Sequence, residues 1–132
     1  MHGQMPQEIE VWYIIPALRR ELTKSMINDF SLTQKQIASI IGLTEAAVSQ
    51  YMHSKRAKDV IFSEAILKEI KASAQRIIEN RNLLLQEMLR LTKLTAVKRV
   101  MCDLHKKYDA TLPENCEICF EEDLIEIKQR VI

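Results

Sequence analysis

The stretch that decides the fold runs from Ser31 to Arg56 and reads SLTQKQIASIIGLTEAAVSQYMHSKR. It opens with Thr33 and Gln36, the two positions of a capping box, in which each side chain satisfies a backbone N–H of the first helical turn. Apolar residues follow at helical spacing: Ile37, Ala38, Ile40 and Ile41. Gly42 comes next, and glycine readily adopts the positive φ at which a helix ends abruptly. These signals predict a short helix that begins near Thr33 and stops at Gly42.

A second short helix is predicted directly after this turn. Thr44 is a good N-cap, and the inward face of the helix is Ala47, Val48 and Tyr51. Ala38 lies four residues before Gly42 and is small enough for the two helices to cross closely, while Val48 lies six residues after it and points into the same small core. This spacing predicts a helix-turn-helix, whose second helix can lie in the major groove of DNA.

The stretch resembles the helix-turn-helix of the phage-repressor (XRE/Cro-like) class in its Thr-Gln start, Ile-Ala pair, Gly-Leu-Thr turn and Ala-Val-Ser-Gln-Tyr second helix. The resemblance implies that the second helix is a recognition helix. Its outward face would be Thr44, Glu45, Ala46, Ser49 and Gln50. The resemblance also implies that Gln34 anchors a phosphate from the start of the first helix. The alternative is a helical hairpin with solvated polar residues and no DNA.

On the DNA-binding interpretation, each outward residue type has a chemical role. Gln50 is suited to a bidentate contact with adenine, and Ala46 to a contact with a thymine methyl group. Ser49 is suited to a base or to a phosphate. Lys55 and Arg56 would hold the phosphate backbone and fix the register rather than read sequence.

The charge of the chain restricts how it can attract DNA. The net charge is only +1, and residues 1–60 hold seven Lys and Arg against six Asp and Glu. Attraction to phosphate must therefore be local, and two copies side by side would raise the affinity. The cations available near the second helix are Lys55, Arg56 and Lys58, with Arg19, Arg20 or Lys35 as possible additions.

The composition predicts an all-α chain, because 132 residues include only two Gly and three Pro and lack β-branched runs. The predicted order is a helix-turn-helix domain of the phage-repressor type (1–60), a long linking helix (61–94) and a small Cys/His-containing helical segment (95–132). No apolar run is long enough to cross a bilayer and no secretory signal opens the chain, so a cytoplasmic protein is expected.

A scaffold helix is predicted before the helix-turn-helix, from about Pro16 to Asp29. Its stripe repeats every four residues at Leu18, Leu22, Met26 and Phe30. The preceding pattern, Glu-x-x-x-Trp-Tyr-x-x-Pro-Ala-x-Arg-Arg-Glu-Leu, is similar to a group of predicted archaeal transcriptional regulators. In that group a phage-repressor-type helix-turn-helix is joined to a Cys-containing C-terminal segment.

The linking helix is predicted to begin at the N-cap Ser63 and to run to about Leu91. One set of heptad positions is Ile70, Ile77, Leu84 and Leu91, and the complementary set is Leu67, Ala74, Arg81 and Met88. This pattern predicts a coiled-coil-like seam of a homodimer, with one charged position at Arg81. The alternative is a helix that packs on its own chain.

Four residues of metal-ligand type lie near the C-terminus, in a C-x₂-H pair and a C-x₂-C pair separated by ten residues: Cys102, His105, Cys116 and Cys119. Two such pairs can complete a tetrahedron of three thiolates and one imidazole. Zinc is the first expectation. An iron–sulfur cluster is the rival, and buried thiols without a metal are the third interpretation.

The leading hypothesis is a sequence-specific, dimeric DNA-binding transcriptional regulator with a metal-stabilised or redox-sensing C-terminal segment. The alternative is a protein-interaction adaptor or antitoxin-like partner that uses the helix-turn-helix only as a fold. An enzyme is not expected, since a four-ligand site leaves no open position and no phosphate-binding loop or nucleophile signature is present.

Overall fold

The computed structural model describes residues 4–53, 58 and 60–116, which form helices joined by short turns and include no strand. The predicted all-α class is confirmed for these residues. In chain order the helices are α1 (Pro6–Ile9), α2 (Ile15–Asn28), α3 (Gln34–Ile41), α4 (Glu45–Met52), α5 (Glu64–Glu79), α6 (Leu84–Lys93) and α7 (Thr95–Tyr108). None of these described helices is both long and apolar enough to span a bilayer.

A π-helical turn (Glu10–Ile14) joins α1 to α2. The backbone N–H of Ile15 donates to the carbonyl of Glu10, five residues earlier. Pro16 follows within the first turn of α2, and its ring has no N–H and crowds the carbonyl four residues before it. The wider π turn relieves that crowding, so the chain continues as a helix. The scaffold helix predicted from Pro16 to Asp29 is confirmed, with α2 ending at Asn28.

Helix α2 lies at the centre of the core. Its stripe of Leu18, Leu22 and Met26 is fully buried, and α2 contacts α3, α4, α5 and α6. Phe30, the fourth position of the stripe, lies just past the helix and is half-buried. The buried apolar side chains from Ile9 to Leu104 form a single cluster. The three predicted segments therefore contribute to one core.

The long helix predicted over residues 61–94 is wrong, because the chain breaks at Asn80. Asn80 has an extended backbone (φ −148°, ψ 102°), and its side chain accepts a hydrogen bond of 3.1 Å from the backbone N–H of Asn82. Asparagine readily forms such local bonds, which compete with helix continuation. A 3₁₀ turn (Arg81–Leu83) follows, and the chain then reverses so that α5 and α6 form an antiparallel hairpin.

The predicted homodimer seam is also wrong, since most of its apolar positions face the chain's own core. Ile70, Ile77 and Leu91 are almost completely buried within the chain. Arg81, the charged position of the pattern, instead donates a 3.0 Å hydrogen bond to the hydroxyl of Ser39 on α3. The alternative interpretation, a helical segment that packs on its own chain, describes the structure.

Ion pairs hold the two arms of the α5–α6 hairpin together. Arg76 Nη1 lies 2.8 Å from Glu87 Oε1, and Arg90 Nη1 lies 2.7 Å from Glu69 Oε2. Burial raises the pKa of the Glu87 carboxyl, but hydrogen bonds from Arg76 and Ser73 and the nearby positive charges outweigh it, so that the pKa is lowered overall. The ionised form of Glu87 therefore stabilises the folded hairpin.

We predict that Glu87→Gln lowers the free energy of unfolding at neutral pH and that the deficit narrows in acid. A folded-state pKa below the unfolded value, which is about 4.3 for glutamate, contributes stability above that unfolded value and loses it as the pH falls through the folded pKa. Urea unfolding at a series of pH values measures the difference, with exposed Glu79→Gln as the control. A deficit that stays constant down to acid pH contradicts the prediction.

Candidate nucleic-acid interface

The two eight-residue helices α3 and α4 are built from the local signals predicted for them. At the start of α3, Thr33 Oγ1 accepts from the backbone N–H of Gln36 at 3.2 Å, and Gln36 Oε1 accepts from the backbone N–H of Thr33 at 2.9 Å. The predicted capping box is confirmed. It satisfies two backbone donors that no helical carbonyl can reach.

The turn between the two helices depends on Gly42. Gly42 has φ 76° and ψ 32°, in the left-handed region, and its N–H and that of Leu43 both donate to the carbonyl of Ala38 at 2.9 Å. Thr44 then starts α4, because its Oγ1 accepts from the backbone N–H of Ala47 at 3.1 Å. The stop at Gly42 and the N-cap at Thr44 are both confirmed.

The inward positions of both helices pack as their spacing predicts. Ala38 is 5% exposed and Val48 is 0% exposed, and Ile37 is likewise buried. Helix α4 contacts both α3 and α2. The buried pair Ala38 and Val48 therefore fixes which side of α4 turns outward.

An anchor from α2, which the sequence analysis missed, also holds α4. Arg19 Nη1 donates to the hydroxyl of Tyr51 at 2.9 Å, and the guanidinium lies 5.5 Å from the centroid of the Tyr51 ring. The two residues are 32 positions apart. The helical stripe of α2 does not reveal this pairing, since Arg19 lies beside the apolar positions and not among them.

Arg20, considered above as an additional phosphate contact, is buried, and that expectation is wrong. Its Nη2 donates to the carbonyl of Val60 at 2.9 Å, and its Nε lies 3.1 Å from Glu21 Oε1. A buried guanidinium needs such acceptors, so Arg20 ties α2 to the segment that follows α4. Lys35 and Lys58, by contrast, are exposed.

The outward face of α4 is open to solvent. The exposed members of the predicted recognition surface are Thr44, Glu45, Ala46 and Gln50, while Ser49 is half-buried. Gln34 is exposed in the first turn of α3. The predicted contacts Lys55 and Arg56 lie outside the described residues. The outward face of α4 presents a hydroxyl, a carboxylate, a methyl group and an amide, which are suited to contacts with base edges.

The structure brings two of the four predicted metal ligands onto one turn of α7. Cys102 and His105 are both buried there, and His105 Nε2 has no hydrogen-bond partner in the part of the chain that the structure describes. Cys102 and Cys116 are free thiols, and Cys119 lies outside the described residues. Over residues 4–53, 58 and 60–116, no three His, Cys, Asp or Glu side chains come together as a metal site. The buried imidazole fits a ligand role, and Cys116 is not assembled with the other two.

Compared with models of known protein families, with curated proteins and with solved structures, the chain matches none. The resemblance to phage-repressor regulators therefore stays a prediction from the motif and its spacing.

We predict that Gly42→Ala lowers the free energy of unfolding by about 1 kcal/mol, the usual penalty for an L-residue with left-handed backbone. A Cβ at this position meets no atom within 4 Å, so backbone conformation is the only cost. Gly42→Asn should lower the free energy of unfolding by less, because asparagine tolerates the left-handed backbone conformation. Urea unfolding of both variants measures the costs. If Asn is no better than Ala, the backbone explanation is wrong.

Proposed function

We propose that the chain is a sequence-specific double-stranded DNA-binding transcriptional regulator of the phage-repressor helix-turn-helix type, in which α4 is the recognition helix. The observation that carries the proposal is the division of α4 into two sides. Val48 is fully buried, while Ala46 and Gln50, each two residues away, are exposed on the opposite side, and Glu45 is exposed in the first turn. An eight-residue helix that is held by its inner side and open to solvent on its outer side is suited to entering the major groove.

The proposed contacts divide into reading and positioning. Gln50 pairs with adenine, Ala46 touches a thymine methyl group, and Glu45 accepts from the amino group of cytosine. Gln34, Lys55 and Arg56 contact phosphates and fix the register of the helix on the duplex. Thr44 uses its hydroxyl to cap α4 and so positions the N-terminal end of the reading helix.

The proposed mechanism is steric control of promoter access in the cytoplasm by a dimer that reads two half-sites about one DNA turn apart. The net charge of +1 supports a dimer, because a single copy offers few phosphate contacts. The proposed role is one of binding, with no catalytic residue.

We further propose that zinc is held by Cys102, His105, Cys116 and Cys119 and stabilises the C-terminal segment. Support comes from the buried Cys102 and His105 on one helical turn and from the unpartnered Nε2 of His105 among the described residues. Zinc held by these residues would cross-link α7 to the chain that follows it. An iron–sulfur cluster on the same residues is the competing proposal.

We predict that the full chain binds DNA from its own upstream region in a gel shift, with salt-sensitive and sequence-dependent affinity. Gln50→Ala should cost about 1–3 kcal/mol on the preferred site and little on unrelated DNA. Lys55→Ala should weaken binding to all sequences and lower the salt slope by about 1. Lys68→Ala, at an exposed position on α5, is the control. Absence of salt-sensitive binding would favour the adaptor or antitoxin-like alternative.

We predict that protein purified without oxygen is colourless and contains one zinc ion per chain. Cys102→Ser and His105→Asn should each lose the metal and lower the unfolding midpoint, since removal of a ligand opens the tetrahedral site. His53→Asn, at an exposed histidine after α4, should retain it. Elemental analysis measures the zinc content, and an absorption spectrum shows whether the protein is coloured. A brown protein indicates an iron–sulfur cluster, and a metal-free protein refutes both proposals.

A further inference from the structure

An apolar groove lies between α2, the α3–α4 turn and α6. It has a volume of about 310 Å³ and is lined by Leu22, Ile41, Leu43 and Met88, among others. Ile41 and Leu43 flank Gly42, so the groove adjoins the turn that sets α4. Neither the proposed DNA contacts nor the proposed metal site uses this groove.

One wall of the groove protrudes into solvent as a ridge of two leucines. Leu85 is 75% exposed and Leu89 is 58% exposed, and they lie one turn apart on α6. Val11 and Trp12, which are 58% and 41% exposed, directly follow Glu10, another residue of the groove lining. Exposed leucines that border an apolar groove mark an interaction surface.

We propose that this surface, the groove with its Leu85/Leu89 ridge, is the interface with a second copy of the chain in a twofold-symmetric dimer. A twofold interface must be complementary to itself, because the same patch is used on both subunits. Here a protruding apolar ridge and an apolar groove lie side by side on one patch. A twofold axis lets the ridge of each copy enter the groove of the other.

Charge supports a second copy as the occupant. The groove lining contains one carboxylate, Glu10, and one guanidinium, Arg19. A twofold axis can therefore place opposite charges across the interface, which favours this pairing over like-charged partners. Ile70, Ile77 and Leu91, three apolar positions of the predicted seam, are buried inside the chain, so that seam is not available to a partner.

The interface must extend beyond the leucine ridge. A stable interface buries about 800 Å² on each partner, more than two leucines provide. The groove lining also includes Glu10, Ile15 and Leu22, so the patch extends from α6 to the N-terminal helical run. The proposal rests on the proposed DNA-binding function for its biological role, since two copies supply two reading helices. Ile41 and Leu43 would bring the partner against the turn that holds α4.

The test is sedimentation velocity of the full chain from low to high micromolar concentration. We expect wild-type protein to dimerise and Leu85→Glu/Leu89→Glu to raise the dissociation constant at least ~100-fold, since paired charges in an apolar interface core are strongly unfavourable. Leu67→Glu is the matched control, because Leu67 is an exposed leucine (38%) on α5 that does not line the groove. It should remain dimeric.

A second measurement uses wild-type protein alone and does not depend on the folding of a variant. Trp12 is the chain's only tryptophan, is 41% exposed and lies two residues after Glu10 of the groove lining. Its fluorescence should shift to shorter wavelength as concentration rises, in parallel with dimer formation, because dimerisation removes it from water. A dimer that forms without a change in Trp12 emission places the interface elsewhere and overturns the proposal.

Three further outcomes overturn the interface: a wild-type chain that stays monomeric at every concentration, a dimer that survives the double substitution, or a dimer that Leu67→Glu disrupts equally. Gel shifts distinguish this failure from failure of the DNA-binding proposal. A dimer that the ridge variant dissociates but that binds no DNA retains the interface and refutes the regulator. A chain that binds its site as a monomer retains DNA binding and refutes the interface.

Discussion

The buried apolar stripe of α2 is the constraint on which the rest of the structure depends. Leu18, Leu22 and Met26 are fully buried, and burial of each such side chain is worth about 1.5–3 kcal/mol. Because α2 contacts α3, α4, α5 and α6, this one stripe organises both halves of the chain. Two arginines beside this stripe fix further segments to α2. Arg19 donates a hydrogen bond to Tyr51 on α4, and Arg20 donates one to the carbonyl of Val60.

The proposed DNA-reading unit consequently shares its core with the C-terminal helices. Val48 of α4 and Val97 of α7 belong to the same buried cluster. Arg81 also links the α5–α6 hairpin directly to Ser39 of α3. A metal bound on α7 would therefore stabilise the same folded unit that holds α4, since a ligand that binds only the native state favours it by mass action.

The near-neutral charge of the chain and its exposed apolar ridge are connected through the proposed dimer. With a net charge of +1, a single copy has little long-range attraction for DNA. A dimer formed through Leu85, Leu89 and the adjoining groove would present two copies of α4. It would thereby double the local contacts with DNA without a strongly basic surface. The cost is an exposed apolar patch on the isolated chain.

What the sequence determined by itself was local. The capping box at Thr33, the stop at Gly42 and the cap at Thr44 could all be predicted, because each interaction joins residues at most five positions apart. The outward face of α4 followed from the same spacing, since the buried position Val48 fixes the rotation of this short helix. The stripe of α2 was equally clear from its period.

The tertiary structure alone decided how the periodic faces were used. A heptad repeat of apolar residues predicts that one side of a helix is buried. It does not distinguish burial against a partner chain from burial against the same chain. The local hydrogen bond of Asn80 competes with helix continuation and ends α5. Helices α5 and α6 then both pack against α2. The pairing of Arg19 with Tyr51 and the exposure of Leu85 depend on contacts between distant segments, and local pattern carries no information about these.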